Sequence, residues 1–405
     1  MHETAADEAP GSALLARAAV SAIFFLTGAG TANWAVRIPA VQERLALSEG
    51  ALGVALLGVS VGALVAMPVA GRLVARRGSR PVTWAAAAAF AAALALPPLA
   101  PSLTTLALSL VVLGLTNGML DVAMNAQAAA VQRRYREPVM GRIHALYSFG
   151  GLVGATVGGR VAAHGVGAAP HLAAVGLALG LGASAAALGM LPARADAVPE
   201  HRSSLVRPTR ALALLGVVAF CVLFGEGAMA NWSAVYLREV GGAGPGLAAA
   251  GFAAFSLTMA AGRAAGDALT TRLGAARLAR AGGVVAALGV AAAMAVPRPW
   301  AAVLGFAAVG AGLSSVFPTV LAATARLPGV VPGAAIAVVS MCGYSGLLAG
   351  PPLIGAVAGA LTLRGGLALA GITSLVIVAL AGTLTGRSRS ASEPQAHPAP
   401  VLAAS

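Results

Sequence analysis

Twelve apolar runs occupy almost the whole chain: 13–36, 49–71, 81–99, 103–131, 142–163, 170–191, 210–235, 247–270, 278–296, 300–325, 334–362 and 366–386. A helix needs about 20 apolar residues to cross the hydrocarbon of a bilayer. Within that hydrocarbon a backbone must satisfy its own polar groups, which segments of this length do as helices. The expected fold is all-α and integral to the membrane, with twelve transmembrane helices. Hydrophobic residues make up 59% of the chain and charged residues 10%, with a mean hydropathy of +0.87. A soluble domain carries about 25% charged residues, so a water-facing globule is excluded. Disorder is excluded as well, because it needs low hydrophobicity and high charge. The first run lacks the cleavage pattern of a signal peptide and is expected to be retained.

The formal charge is +13, and all 26 basic residues are arginine. These arginines sit in short clusters between the apolar runs, so they report membrane topology and not nucleic-acid binding. With the N-terminus inside, nineteen fall on inner segments and six on outer ones. That excess places both termini in the cytoplasm of a multi-pass protein of the cytoplasmic (inner) membrane. Cys221 and Cys342 lie inside apolar runs, where no disulfide framework is expected.

The longest polar break, 192–209, divides the chain into a tail at 1–12, a six-helix bundle at 13–191, a second at 210–386 and a Ser/Pro/Ala-rich, disordered tail at 387–405. The two bundles are pseudo-symmetric repeats. Ala32-Asn33-Trp34 returns as Ala230-Asn231-Trp232, each with a Gly-x-Gly just upstream (Gly28 and Gly30; Gly225 and Gly227). Offset 192 aligns Gly141, Ser148, Gly151, Gly154 and Gly158 with Gly333, Ser340, Gly343, Gly346 and Gly350. Offset 196 aligns Ser60, Arg76 and Gly78 with Ser256, Arg272 and Gly274. A six-plus-six chain of parallel repeats is a transporter architecture with its site at the bilayer midplane. The stripe Gly151, Gly154, Gly158 has the spacing that close helix packing needs.

The segment Gly71-Arg72-Leu73-Val74-Ala75-Arg76-Arg77-Gly78-Ser79-Arg80 resembles the signature loop of the major facilitator superfamily, with Ala75 where the signature has Asp. The resemblance implies a charge latch at this loop, with Gly71, Arg72, Arg76, Arg77 and Gly78 as gating residues. Arg263, Asp267 and Arg272 carry a corresponding role in the second half. A narrower resemblance is to the fucose-permease-like branch of sugar:proton symporters. Gly118-Met119-Leu120-Asp121-Val122-Ala123-Met124-Asn125 is similar to its Gly-x-Leu-Glu-x-Ala-x-Asn, and Arg142-Ile143-His144 begins a pattern in which His144 replaces Asn. The acid that this branch carries in its first helix is absent here, with Asn33 the nearest polar group.

An ionisable residue inside a span costs about 2.5–3.5 kcal/mol on insertion scales and marks a cavity or a partner. Asn117, Asp121 and Asn125 repeat every four residues and form one polar stripe. Asp121 is therefore the expected proton-coupling group, with His144 as a possible relay. Glu226, in the seventh run, is a second candidate for the cavity. Asp267 lies four residues after Arg263, and a structural ion pair between them is expected. Asn33-Trp34 and Asn231-Trp232 offer an aromatic face and an amide to a polar solute, and interfacial tryptophan explains them equally well. Arg37 is read as a snorkelling surface arginine.

The expected substrate-binding set is thus Asn33, Trp34, Asn117, Asn125, Glu226, Asn231 and Trp232. With no lysine there is no Gly-x4-Gly-Lys-Ser/Thr loop for ATP. The scattered histidines suggest no metal site, and no catalytic triad is visible. No enzyme activity and no cofactor are expected, and the proton is the expected coupling ion. The expectation is a monomeric secondary carrier in the lipid bilayer for a small polar solute, a sugar or related metabolite. A proton-driven efflux antiporter and a non-transporting receptor remain as alternatives.

Overall fold

The computed structural model describes residues 10–135, 139–192, 209–328 and 332–384. These residues are helical, with no strand among them. The first bundle comprises α1 (Pro10–Arg44), α2 (Glu49–Arg77), α3 (Ser79–Ala93), α4 (Leu103–Gln132), α5 (Met140–Ala163) and α6 (Ala168–Gly189). The second comprises α7 (Arg210–Glu239), α8 (Pro245–Leu273), α9 (Ala275–Ala295), α10 (Pro299–Leu313), α11 (Val316–Ala325), α12 (Pro332–Ala360) and α13 (Leu363–Leu380). The linker at 192–209, apart from its two end residues, and the tail from 387 lie outside the described residues.

Eleven helical runs among the described residues are long and apolar enough to cross a membrane, with α10 and α11 counted as one. The twelfth helix, α5, is 24 residues long and carries Arg142, His144 and Arg160 among six glycines and four alanines. Its lower hydropathy follows from a position between the two bundles, where it packs on α1 and α8.

Two spans differ from expectation. The run 81–99 ends its α-helix at Ala93, and Pro97–Leu99 form a 3-10 turn, because Pro97 and Pro98 cannot continue the ladder. The run 300–325 is broken between α10 and α11 at Ser314-Ser315. There the Ser314 hydroxyl donates to the Ala311 carbonyl (2.8 Å) and the Ser315 hydroxyl to the Gly262 carbonyl of α8 (3.1 Å), so side chains compete with the helical ladder.

Helix starts follow ordinary capping chemistry. Ser48 accepts from the Ala51 N–H, Thr209 from that of Leu212 and Thr362 from that of Gly365, while Ser102 and Thr105 form a reciprocal capping box. The repeat is visible in the backbone. Gly78 joins α2 to α3 at φ +81°, and Gly274 joins α8 to α9 at φ +79°, a conformation that favours glycine. In both, the glycine N–H closes on the carbonyl four residues back.

Within the first bundle α1 packs on α5 and α6, α2 on α4, and α3 on α4 and α6. Within the second, α7 packs on α12 and α13, and α10 on α8 and α9. The bundles meet along two seams, α2–α12 and α5–α8, with α1 against α7 between them. At one end of the molecule Arg238 of α7 is ion-paired with Glu43 of α1, and Gln42 of α1 donates to Glu239 of α7. This end is closed. At the other end Arg72, Arg76, Arg77 and Arg272 are exposed, and a side chain added at Gly71 or Gly141 would meet nothing.

Candidate functional site

A cavity of about 220 Å³ lies where the bundles face each other, walled by α1, α2, α4, α5, α7, α8, α11 and α12. Its polar lining falls into two groups. The first bundle contributes Thr27, Thr31, Asn117, Asp121, His144, Tyr147 and Ser148. The second contributes Glu226, Ser256, Arg263 and Tyr344. Phe24, Phe252, Phe255 and Phe317 supply aromatic surface.

Only two of the three members of the α4 stripe reach the cavity, and the expected ligand Asn125 does not. Asn117 and Asp121 are in the cavity wall. Asn125, one turn further, is behind it and donates through Nδ2 to the Asp121 backbone carbonyl (2.8 Å) and to the Asp121 carboxylate (3.2 Å). The Tyr344 hydroxyl approaches the same carboxylate from the second bundle. Among the described residues no arginine is ion-paired with Asp121.

Glu226 has a different environment. Its carboxylate is ion-paired with Arg263 at 2.9 Å, and their side chains are 19% and 17% exposed, so both remain reachable from the cavity. The other Arg263 nitrogen donates to the Ser148 hydroxyl at 2.7 Å. This one guanidinium therefore joins α8 and α7 of the second bundle to α5 of the first. The expected local pair of Arg263 with Asp267 falls on a side chain that lies outside the described residues. The glycines beside Glu226 serve packing: a Cβ at Gly225 would fall 2.6 Å from Leu313 and one at Gly227 would fall 2.7 Å from the Leu347 carbonyl.

His144 lines the cavity with its ring against Phe24 (centroids 4.9 Å apart) and its Nδ1 3.0 Å from the Met140 carbonyl.

The tryptophan-containing repeats are corrected by the structure. Asn33, Trp34, Asn231 and Trp232 are not in the cavity wall. Asn33 and Asn231 turn back on their own helices, donating to Ala29 and Gly227 carbonyls at 2.8 and 2.9 Å. Trp34 and Trp232 are buried, and the Trp232 indole donates to the Pro351 carbonyl at 3.2 Å. Helix–helix packing consumes the apolar rings, which is why they are unavailable to a solute. Arg37 is also buried and not a snorkelling residue: it donates to His171 Nδ1 (2.8 Å) and to the Val166 carbonyl (2.9 Å), tying α1 to α6.

Tyr147, Tyr344 and Ser256 were not singled out as ligands by the sequence. The signal was present for the tyrosines: the chain has four, and Tyr147 and Tyr344 stand inside apolar runs. The arrangement can accept and donate hydrogen bonds on both sides of a small solute, and it can hold one carboxyl balanced by arginine and one balanced only by neutral donors.

Two apposed six-helix bundles, related by repeat and enclosing a polar cavity at mid-depth, define a membrane transport architecture. The chain belongs to the Major Facilitator Superfamily, whose sequence profile matches residues 20–331. It is 33% identical over 362 residues to an uncharacterised MFS-type transporter of Yersinia pestis, covering 89% of this chain and 94% of that one. It is 34% identical over 377 residues to the membrane protein MosC of Rhizobium meliloti, covering 92% and 90%. Among solved structures it is similar to a D323A mutant of the nucleoside transporter NupG, with TM-score 0.71 and 12% identity over 91% of this chain and 98% of that one. It is also similar to a D-xylose-proton symporter, with TM-score 0.70 and 14% identity over 92% and 97%. At these identities the solved structures speak for the fold alone. The chain is thus a multi-pass membrane transporter.

Proposed function

We propose that the protein carries a small, polar, hydroxyl-bearing solute, a sugar or related metabolite, together with a proton, by alternating access. One observation carries this reading: the interbundle cavity places an acid without a cationic partner, Asp121, opposite an acid that has one, Glu226 with Arg263. A carboxylate paired with arginine holds its charge at modest cost, whereas a carboxylate met only by Asn125 and Tyr344 avoids a costly charge by taking a proton. Asp121 is therefore the proton carrier in this reading. Asn117, Glu226 and Arg263, with Ser148, Tyr147 and His144, form the solute-binding surface.

The sugar:proton resemblance of α4 supports this chemistry, and so does the likeness in fold to proteins described as a nucleoside transporter and a D-xylose-proton symporter. Both of those names denote hydroxyl-rich solutes. With the arginine-rich end inside, the closed end faces outwards, and the conformer is the one that exchanges solute with the cytoplasm. In it Arg72, Arg76 and Arg77 of the Gly71–Arg80 segment are exposed, as expected of a latch that engages when that end closes.

The test is uptake into proteoliposomes under an imposed pH gradient, screening sugars and nucleosides. The wild type should accumulate its solute only with the gradient. Asp121→Asn should lose accumulation and retain solute exchange. Gradient-driven accumulation unchanged by that substitution would remove Asp121 from the mechanism, and export of dyes without a sugar or nucleoside response would replace import by efflux.

A further inference from the structure

A second cavity, of about 290 Å³, lies on the α5–α8 seam towards the closed end. Ala155, Thr156, Gly159, Arg160 and Ala163 of α5 form one wall, and Gly246, Ala249, Ala250 and Ala253 of α8 form the other. It runs over eight residues of α5, about 12 Å along the helix. It is distinct from the central cavity, because the two share no lining residue. Its surroundings place it on the lipid side: Val157 of α5 and Leu257 of α8 are large apolar side chains left 46% and 52% exposed beside it.

Two features of this groove do not suit bare packing. Its walls are mostly apolar and stay open to the bilayer as a valley above the helix contact, where a Cβ at Gly159 would lie 2.6 Å from Ala249. At its outer end stands Arg160, exposed, whose guanidinium has no hydrogen bond or ion pair among the described residues. A cation at the end of an apolar, lipid-facing groove matches the two parts of an anionic phospholipid: an acyl chain for the alanine and glycine walls and a phosphate for the guanidinium. A bare acyl chain would not need the charge, and a free phosphate would not need the groove.

We propose that this groove binds one anionic phospholipid, with its headgroup phosphate on Arg160 and an acyl chain between α5 and α8. The walls belong to different bundles, so the lipid touches both. Any motion that opens the closed end separates α5 from α8 and destroys the groove. A lipid bound there favours the conformer with that end shut, by its differential affinity for the two states. Anionic lipid in that leaflet would then shift the protein towards its cytoplasm-facing form. This is independent of what the central cavity carries.

The experiment is native mass spectrometry of the delipidated full-length protein titrated with phosphatidylglycerol, phosphatidylethanolamine or inorganic phosphate. Phosphatidylglycerol should be retained at least fivefold better than phosphatidylethanolamine, and Arg160→Gln should bring the two to parity. Ala250→Leu, which fills the groove from a partly exposed position, should lower retention of phosphatidylglycerol at least fivefold with Arg160 intact. Both variants should keep the wild-type melting midpoint when lipid-free, which separates loss of the site from loss of the fold. Retention unchanged in either variant overturns the proposal. So does displacement of the lipid by inorganic phosphate at equal concentration, or a groove occupied by a second copy of the chain.

Discussion

The repeat predicts that the α2–α12 and α5–α8 seams are equivalent, yet they are built differently. Offset 196 carries Gly53 onto Ala249, and offset 192 carries Ala163 onto Gly355. On the α2–α12 seam Gly53 meets Gly355 and Gly50 meets Gly359, backbone against backbone. On the α5–α8 seam alanines replace two of these glycines, side chains and not bare backbone make the contact, and a groove remains beside it. The polar links differ as well. Pro352 has no N–H to offer the Leu348 carbonyl four residues earlier, and the Ser60 hydroxyl of α2 supplies the missing donor at 2.6 Å. On the other seam the link is a charge, Arg263 on Ser148, inside the transport cavity. One seam thus carries a neutral glycine-on-glycine contact, and the other is spaced by alanine side chains and holds the ionisable groups. Under the alternating access proposed above, the first suits a hinge and the second suits the side that responds to solute and proton.

The largest effect should come from adding bulk to the tight seam. A Cβ at Gly355 would overlap Gly53 and lie 3.1 Å from the Trp232 ring. Gly355→Val should cost about 3 kcal/mol, read as a lower melting midpoint in detergent. The counterpart Ala163→Val, at an exposed position, should stay within about 0.5 kcal/mol. Equal costs at the two positions would mean that the seams do not differ in closeness.

Next in size is the charge on the α5–α8 seam. Glu226→Gln leaves Arg263 without its counter-ion, and Arg263→Gln leaves Glu226 without its own. Each single change should destabilise by about 2 kcal/mol, less than for a fully buried pair because the cavity lets water reach both groups. The double variant should recover at least half of that loss in a double-mutant cycle. Additive losses would show that the pair contributes nothing as a pair.

How much of this could be read from the chain follows from the distance over which each feature is specified. The spans, the repeat and the α4 stripe are local patterns, so apolar runs, fixed offsets and a four-residue period exposed them. The break at Ser314-Ser315 was hidden because its cause is a carbonyl on α8. The Arg263–Glu226 pair was not legible, because Glu226 lies 37 residues away and only the packing of α7 on α8 brings it near. Asn33-Trp34 and Asn231-Trp232 were a genuine repeat. A repeat marks what both halves need, however, and here that is burial within each bundle. The function proposed here draws on positions where the halves differ: Asp121 and Glu226 are not repeat equivalents under either offset.

The smallest effect concerns the serines at equivalent positions on the two seams. Ser60 caps the freed Leu348 carbonyl, whereas its counterpart Ser256 is buried beside Gly151, whose added Cβ would lie 3.3 Å from the Ser256 hydroxyl. Ser60→Ala removes the only side-chain donor seen on that carbonyl among the described residues, and should cost about 1 kcal/mol. Ser256→Ala breaks no hydrogen bond of this kind and should be close to neutral. Melting midpoints of the two variants, measured side by side, decide the matter. If Ser256→Ala costs as much as Ser60→Ala, the proline-freed carbonyl is not what gives the tight seam its polar link, and helix contact alone must account for it.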